Sequence, residues 1–382
     1  MRCTEIFKKI DELEGEYLDM LEAVCNIESP TAYKAGVDAV GALFADAAKR
    51  LGWSVDVHEE AVAGNALCIS FNEGAPLPPV TMSAHMDTVF PVGMFPTPAV
   101  RREGDRMYGP GTTDCKGGAV AAFFAMRALA ECGFTQRPVR LVLQSDEETG
   151  SSISSKRTLE YMCKCGEGSV AFLNLEDNKP GTAVLKRKGI LRYNIDVYGV
   201  AVHSSKCVDG ASAVAEAAYK IIELEKYKDR DGLTINCGVI SGGTVANTVA
   251  EKCSFTVDIR FATFAQRDEA QAIIKRVVEN CTVPGTRAEY TAVSDRPPME
   301  YVERNVRLFE RMNEIFAEEG LPQLVARDEP SGSDAAYTTA HGIPTVDSIG
   351  TSGGPIHSRY EYMDIPSLAE AAKRLAAIAV CI

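Results

Sequence analysis

The sequence has no basic run longer than the three residues Lys186-Arg187-Lys188, no Cys-x-x-Cys pair, no long apolar stretch, no internal repeat and no low-complexity segment. Each absence excludes something. With a formal net charge of −13 and no basic patch, nucleic acid and anionic membrane are poor partners. Without a stretch long and apolar enough to span a bilayer, a membrane protein is not expected. The N-terminus is charged and helical in pattern and lacks the apolar core of a signal peptide, so a cytoplasmic protein is expected. The twelve cysteines are scattered, and Cys163 and Cys165 form the only close pair. That argues against a structural zinc site built on thiolates. Cys68, Cys237 and Cys253 sit in apolar, strand-like runs, as buried free thiols do in a reducing compartment.

What is present is ample chain for a large core and two domains: 382 residues, 46% of them hydrophobic. Helical spacing of apolar residues predicts helices over 4–27, where Ser29-Pro30 stops the first, and over 33–51. Strand-like runs follow at 53–58, 66–72 and 80–89, then a small-residue helix over 117–132. Short apolar strands are expected at 139–143 and 169–175. Strands alternating with helices predict an α/β fold, a mixed sheet flanked by helices on both faces. From about residue 187 the order becomes β-α-β-β-α-β, that of a ferredoxin-like α+β unit. It is placed as an insertion over 187–295, between two parts of the first domain at 1–186 and 296–382. A helix over 303–319, a short helix after Ser333-Asp334, a strand over 343–349 and a last helix starting at Ser367 complete the chain. Ser367 and Glu370 have the spacing of a capping box.

The stretch from 81 to 118 organises the rest. Val80, Met82, Ala84 and Met86 point one way from a strand, and Thr81, Ser83, His85 and Asp87 the other. His85 and Asp87 therefore share a face near a strand end. Asp114 lies in a glycine-rich loop that opens a helix. Further on, Glu147-Glu148 and Glu176 follow predicted strands, and His357 ends a glycine-rich loop. Taken singly these have bland readings: Glu147-Glu148 as a solvated acidic turn, and lone histidines such as His58 and His341 as structural groups. Together they gather two histidines and several carboxylates at one edge of one sheet, where α/β folds place their sites. Packing such carboxylates costs several kcal/mol per uncompensated charge, and divalent cations remove that cost. Imidazole and carboxylate without thiolate suit zinc, with cobalt or manganese as alternatives.

In this order, His-x-Asp, Gly-x-x-Asp-x-Lys-Gly-Gly, Glu-Glu, a strand-end Glu and a late histidine, the chain resembles the co-catalytic zinc metallopeptidases. That family includes aminoacylases, glutamate carboxypeptidases, acetylornithine deacetylase and succinyl-diaminopimelate desuccinylase. The resemblance covers essentially the whole chain. It implies two divalent metal ions, most simply zinc. His85 and Glu176 would bind one, Glu148 and His357 the other, and Asp114 both. It further implies that Asp87 orients His85 and that Glu147 is the general base. The inserted domain would be the family's lid, which also mediates dimerisation, giving a homodimer. Within it His203 would stabilise the oxyanion, and Asn247 and Arg260 would hold a substrate carboxylate. The bland alternatives are an exposed turn histidine for His203, a turn residue for Asn247 and a salt bridge to Asp258 for Arg260. Pro110 and Cys115 stand where many relatives have Arg and Met, and neither position is a ligand. The strand-end acid reads as Glu176 or Asp177; Glu176 directly follows the apolar run.

The implied activity is hydrolysis of an amide bond in an N-acyl amino acid or a small peptide with a free C-terminal carboxylate. A di- or tripeptidase that recognises a free amine is the runner-up. A catalytically silent relative that binds a small acidic ligand belongs to another class, and it would lack Glu147 or a ligand; none is missing here.

Overall fold

The computed structural model describes residues 3–382; residues 1 and 2, which the expected first domain includes, lie outside them. The chain divides into two compact units. One runs to Leu185 and continues through Tyr301–Asp328 and Ser333–Ile382; the other comprises Lys186–Glu300 and Glu329–Gly332. Sequence pattern gave no hint that 329–332 groups with the second unit.

The first unit is built on a six-stranded mixed sheet, ordered Ser54–His58, Ala66–Phe71, Val139–Gln144, Val80–His85, Ala171–Asn174, Thr345–Val346. The first three strands pair antiparallel, and the last four run parallel to one another. Both faces are covered. Val80, Met82 and Ala84 join the main core with Phe44, Val120 and Leu375. Cys68, Val142 and Phe172 pack on the other side with Leu159 and Met162. The predicted alternation along 80–85 is therefore real in residue type but not in exposure, for all six residues are buried. The polar face stays dry because its hydroxyls find partners: Thr81 Oγ1 lies 2.8 Å from Ser169 Oγ, and Ser83 Oγ lies 3.3 Å from the Met162 sulfur.

Several boundaries differ from expectation. The helix expected over 4–27 is two, Cys3–Glu12 and Glu14–Cys25. The joint is Leu13, whose φ of −87° and ψ of 3° leave the helical region, and Gly15 weakens the turn beyond it. The strand expected over 80–89 ends at His85, because the chain then leaves the ladder to pair with Ser29 and Thr31 through Thr88. The last helix is Ile365–Cys381, with Pro366 in its first turn. The expected capping box does not form. Ser367 Oγ accepts from Ser352 N at 2.9 Å and donates to Asp364 O at 2.6 Å, and Glu370 pairs with Arg374. Among the described residues no helix is long and apolar enough to cross a membrane, and all twelve cysteines are free. Cys68 and Cys253 are buried as expected, whereas Cys237 is half-buried.

The second unit is a four-stranded antiparallel sheet, ordered Thr234–Gly242, Lys252–Phe261, Gly189–Tyr198, Arg287–Arg296. Two helices, Ala213–Leu224 and Phe264–Glu279, join its strands in the ferredoxin-like order. Here the period-2 pattern does set exposure. Leu191, Tyr193, Ile195 and Val197 bury one face with Phe255, Val257, Ile259 and Phe261, while the alternate residues stay partly exposed.

Candidate active site

Three neighbouring parallel strands end at the same edge of the first unit's sheet. Val80–His85 delivers His85 itself, Val139–Gln144 leads into Glu147-Glu148, and Ala171–Asn174 leads into Glu176. Asp114 comes from the loop before the helix Lys116–Glu131, whose N-terminal dipole favours a carboxylate there. Gly117 and Gly118 let that helix approach. An added Cβ would lie 2.3 Å from Thr112 O at the first and 2.4 Å from Leu175 O at the second. His357 belongs to the turn between Gly353–Gly354 and Tyr362–Asp364, two strands of a small antiparallel sheet with Arg106–Tyr108 and Arg101–Glu103. His357 holds a φ of 56°, a left-handed conformation that costs a non-glycine residue about 1–2 kcal/mol.

The side chains converge. Asp114 stands between the two imidazoles, with Oδ1 3.0 Å from His85 Nε2 and Oδ2 3.1 Å from His357 Nε2. Glu148 Oε2 is 3.2 Å from His357 Nε2, and Glu176 Oε2 is 3.9 Å from His85 Nε2. Asp87 braces the cluster from behind. Its Oδ1 lies 3.3 Å from His85 Nδ1, and its two oxygens accept the backbone N–H groups of Glu147 and Glu148 at 3.3 and 3.2 Å. Thr31 Oγ1 donates to Asp87 Oδ2 at 2.7 Å. One buried carboxylate thus orients both the histidine and the Glu-Glu turn. Glu147 itself is buried in that turn.

The electrostatics are those of a site short of positive charge. Burial opposes charge on His85, yet Asp114, Asp87 and Glu176 outweigh it and raise its pKa well above the usual imidazole value. Asp114 and Glu148 push His357 up to about 11. Burial, with Asp114 and Glu147 nearby, lifts Glu148 to about 7, and burial raises Glu176 well above the carboxylate range. Burial disfavours charge on Asp114, but hydrogen bonds from both histidines win and hold it below its ordinary value. Carboxylates that draw protons onto both imidazoles have the donor chemistry of a divalent-cation site.

Ligating atoms of His85, Asp114 and Glu148 lie within 4.8 Å of one another, as do those of His85, Cys115 and Glu176. Glu176 is the member of the Glu176-Asp177 pair found in these groups. Cys115 Sγ donates to Leu175 O at 2.9 Å, and burial raises its thiol pKa well above the usual value. A third group, Cys3, Glu319 and Cys381, shares no residue with the other two.

The remaining predicted residues lie in the second unit. His203 is exposed, and its Nδ1 accepts the Ser205 backbone N–H at 3.3 Å. The same Nδ1 lies 2.9 Å from the Ser205 hydroxyl oxygen. Ser204 N donates to Asn247 O at 2.9 Å, which ties the two loops together. Arg260 makes the salt bridge named as its alternative: its Nε donates to Asp258 Oδ1 at 2.7 Å, and Asp258 Oδ2 also accepts from Arg192 at 2.8 Å. The pair forms because residues two apart on a strand share a face. His58 and His341 have structural partners, Glu60 and the Tyr337 carbonyl.

Sequence reasoning missed the supports. Thr31 follows the Ser29-Pro30 helix stop and reads only as loop. Lys116 is fully buried, with Nζ 3.0 Å from Val24 O and 3.1 Å from Ile27 O, closing the end of the helix Glu14–Cys25. Asp146 accepts from Ser154 N at 2.9 Å and Thr158 Oγ1 at 2.6 Å, fixing the turn that carries Glu147. Glu361 accepts from Thr113 N and Asp114 N. The one signal available was an acidic residue shortly after His357 or beside Glu147; its partners are not legible locally.

An imidazole–carboxylate cluster at the carboxyl edge of an α/β sheet has the donor set of a divalent-cation site. The chain belongs to peptidase family M20/M25/M40, whose profile matches residues 81–380, and it is a metallopeptidase-family enzyme. It is similar to carboxypeptidase G2 of Pseudomonas sp. strain RS-16, 25% identical over 374 residues that cover 96% of this chain and 89% of that protein. Its fold is that of aminopeptidase PepT from Bacillus cereus (TM-score 0.80, 20% identity, 96% of this chain and 98% of that one). It is likewise that of a dinuclear metal binding peptidase of the M20 family from Bacillus subtilis (TM-score 0.71, 15% identity, 97% and 98%).

Proposed function

We propose that the enzyme is a dinuclear, zinc-dependent hydrolase that cleaves the amide bond of an N-acyl amino acid or a small peptide ending in a free carboxylate. The observation that carries this reading is the Asp114 carboxylate held between His85 and His357, one oxygen toward each. His85 and Glu176 would hold one metal ion and Glu148 and His357 the other, with Asp114 common to both. When bound, the ions would supply Lewis-acid polarisation of the amide carbonyl and acidity to an attacking water. Glu147 takes a proton from that water as its oxygen bonds to the carbonyl carbon, and returns it to the amine nitrogen as the C–N bond breaks. Asp87 keeps the Glu147 backbone and the His85 ring in register. The likeness to a carboxypeptidase over 96% of the chain supports a substrate with a free carboxylate.

Hydrolysis of a mixed panel tests this. After chelation and return of Zn²⁺, N-acyl amino acids and small peptides with free carboxylates are cleaved, and their C-terminal amides are poor substrates. Cleavage confined to substrates with a free amine makes the enzyme a di- or tripeptidase, and no cleavage at all makes it a silent relative. Arg260, with Asn247, is assigned to the substrate carboxylate. Arg260→Ala then costs ~1.5–3 kcal/mol in kcat/KM for free-carboxylate substrates and little for amidated ones; equal losses would leave Arg260 to its pairing with Asp258.

The inserted unit is proposed as a lid that also pairs with its copy in a homodimer, each lending His203 to the neighbour's site. An imidazole N–H of His203 would donate to the developing oxyanion, a contact worth about 2.7–4 kcal/mol in comparable donor deletions. His203→Ala and Glu147→Ala are each expected to be inactive as homodimers, and mixed dimers to regain part of the activity. Verified mixed dimers without rescue, or a fully active monomer, would rule out sharing.

A further inference from the structure

We infer that Glu361 is a positioning residue for the metal centre: its carboxylate locks the Asp114 loop onto the segment that carries His357, and so sets the separation of these two ligands. The inference rests on the metal-centre reading above. Glu361 lies four residues beyond His357 in the chain and is 1% exposed. Its Oε1 accepts Thr113 N at 3.0 Å and Asp114 N at 3.1 Å. Its backbone carbonyl accepts Gly109 N at 3.1 Å, and the next carbonyl, of Tyr362, accepts Thr113 Oγ1 at 2.6 Å. The small sheet continues the contact, with Tyr362 opposite Tyr108 and Met363 opposite Met107.

Two features make the carboxylate the critical part of this latch. The amides of Thr113 and Asp114 belong to buried residues, so removing their acceptor strands two donors and lets the loop relax to find others. His357, by contrast, has a side chain 51% exposed and a backbone in an unfavourable region. Packing does little to hold its ring; the anchoring of its segment does. The ring and Asp114 can face each other at 3.1 Å only while the two loops stay joined.

The test compares wild type with Glu361→Ala, Glu361→Asp and Glu361→Gln, each stripped by chelation and titrated with Zn²⁺ against a chromophoric competitor, with Tm measured in parallel. Gln keeps an acceptor oxygen at the same reach. Asp keeps the charge but withdraws the oxygen by one methylene. Expected is a loss of ~10–100-fold in one of the two zinc affinities for Ala and Asp, with Gln close to wild type. Folded Ala or Asp variants that take up both ions with wild-type affinity, even at lowered Tm, would make Glu361 merely structural and overturn the inference. If Ala does not fold, the Asp-to-Gln contrast decides. A wild-type protein that takes up fewer than two ions fails the metal-centre reading itself, and this inference with it; that outcome is visible before any variant is compared.

Discussion

Glu147→Gln is expected to keep both metal ions and lose ~100- to 10,000-fold in kcat, the range that general-base catalysis supplies. The substitution preserves shape and removes only basicity. Its backbone support survives, because Asp87 accepts the Glu147 amide N–H and not the side chain. The neighbouring Glu148 approaches His357 and Asp114, while Glu147 belongs to neither group of ligating atoms around His85. Removing the base therefore acts on the chemical step, with kcat and kcat/KM falling together and metal content unchanged. Metal analysis alongside steady-state kinetics checks it. Near-normal kcat would remove Glu147 from the role, and loss of metal would make it a ligand.

The second large effect is metal removal. Exhaustive chelation is expected to abolish turnover and lower Tm by several degrees, both restored by Zn²⁺. Among the described residues, the cationic partners of Asp114, Glu148 and Glu176 in the cluster are two imidazoles, so removing the ions leaves these carboxylates facing one another. An ion that binds only the folded chain adds about 4 kcal/mol when present at ~1,000 times its Kd. His85→Ala and His357→Ala should mimic chelation, each losing zinc and most activity. Metal content, calorimetry and the activity panel measure these separately. Full activity in chelated protein would end the metal mechanism, whereas lost activity with unchanged Tm would mean the ions bind too weakly to stabilise the fold.

The mixed sheet and the inserted ferredoxin-like order were legible because they rest on local periodicity, which the sequence carries residue by residue. So was the position of His85, Glu147, Glu148 and Glu176 at strand ends, while Asp114 reads only as a residue of a glycine-rich loop, and each of these is a candidate only through the set. The same holds for His357 at the end of its glycine-rich loop. Local signals also misled. Leu13 interrupts what reads as one helix, and Ser367 with Glu370 has capping-box spacing but spends its hydroxyl on Ser352 and Asp364. Arg260 did not mislead: it lies on the polar face, as alternation predicts, and pairs there with Asp258, the alternative partner the sequence offers.

By itself, then, the sequence determined which elements form and which residues stand at the carboxyl edge of the sheet. Only the tertiary structure decided how those residues face one another: one Asp114 oxygen toward each imidazole, Asp87 behind both His85 and the Glu-Glu turn, Thr31 behind Asp87. Glu361 meets Thr113 across 248 residues of chain. The physical reason is that a buried polar group must find a partner, and any part of the chain the fold brings near can supply it. Periodicity records which face a residue takes, but not what the rest of the chain places opposite it.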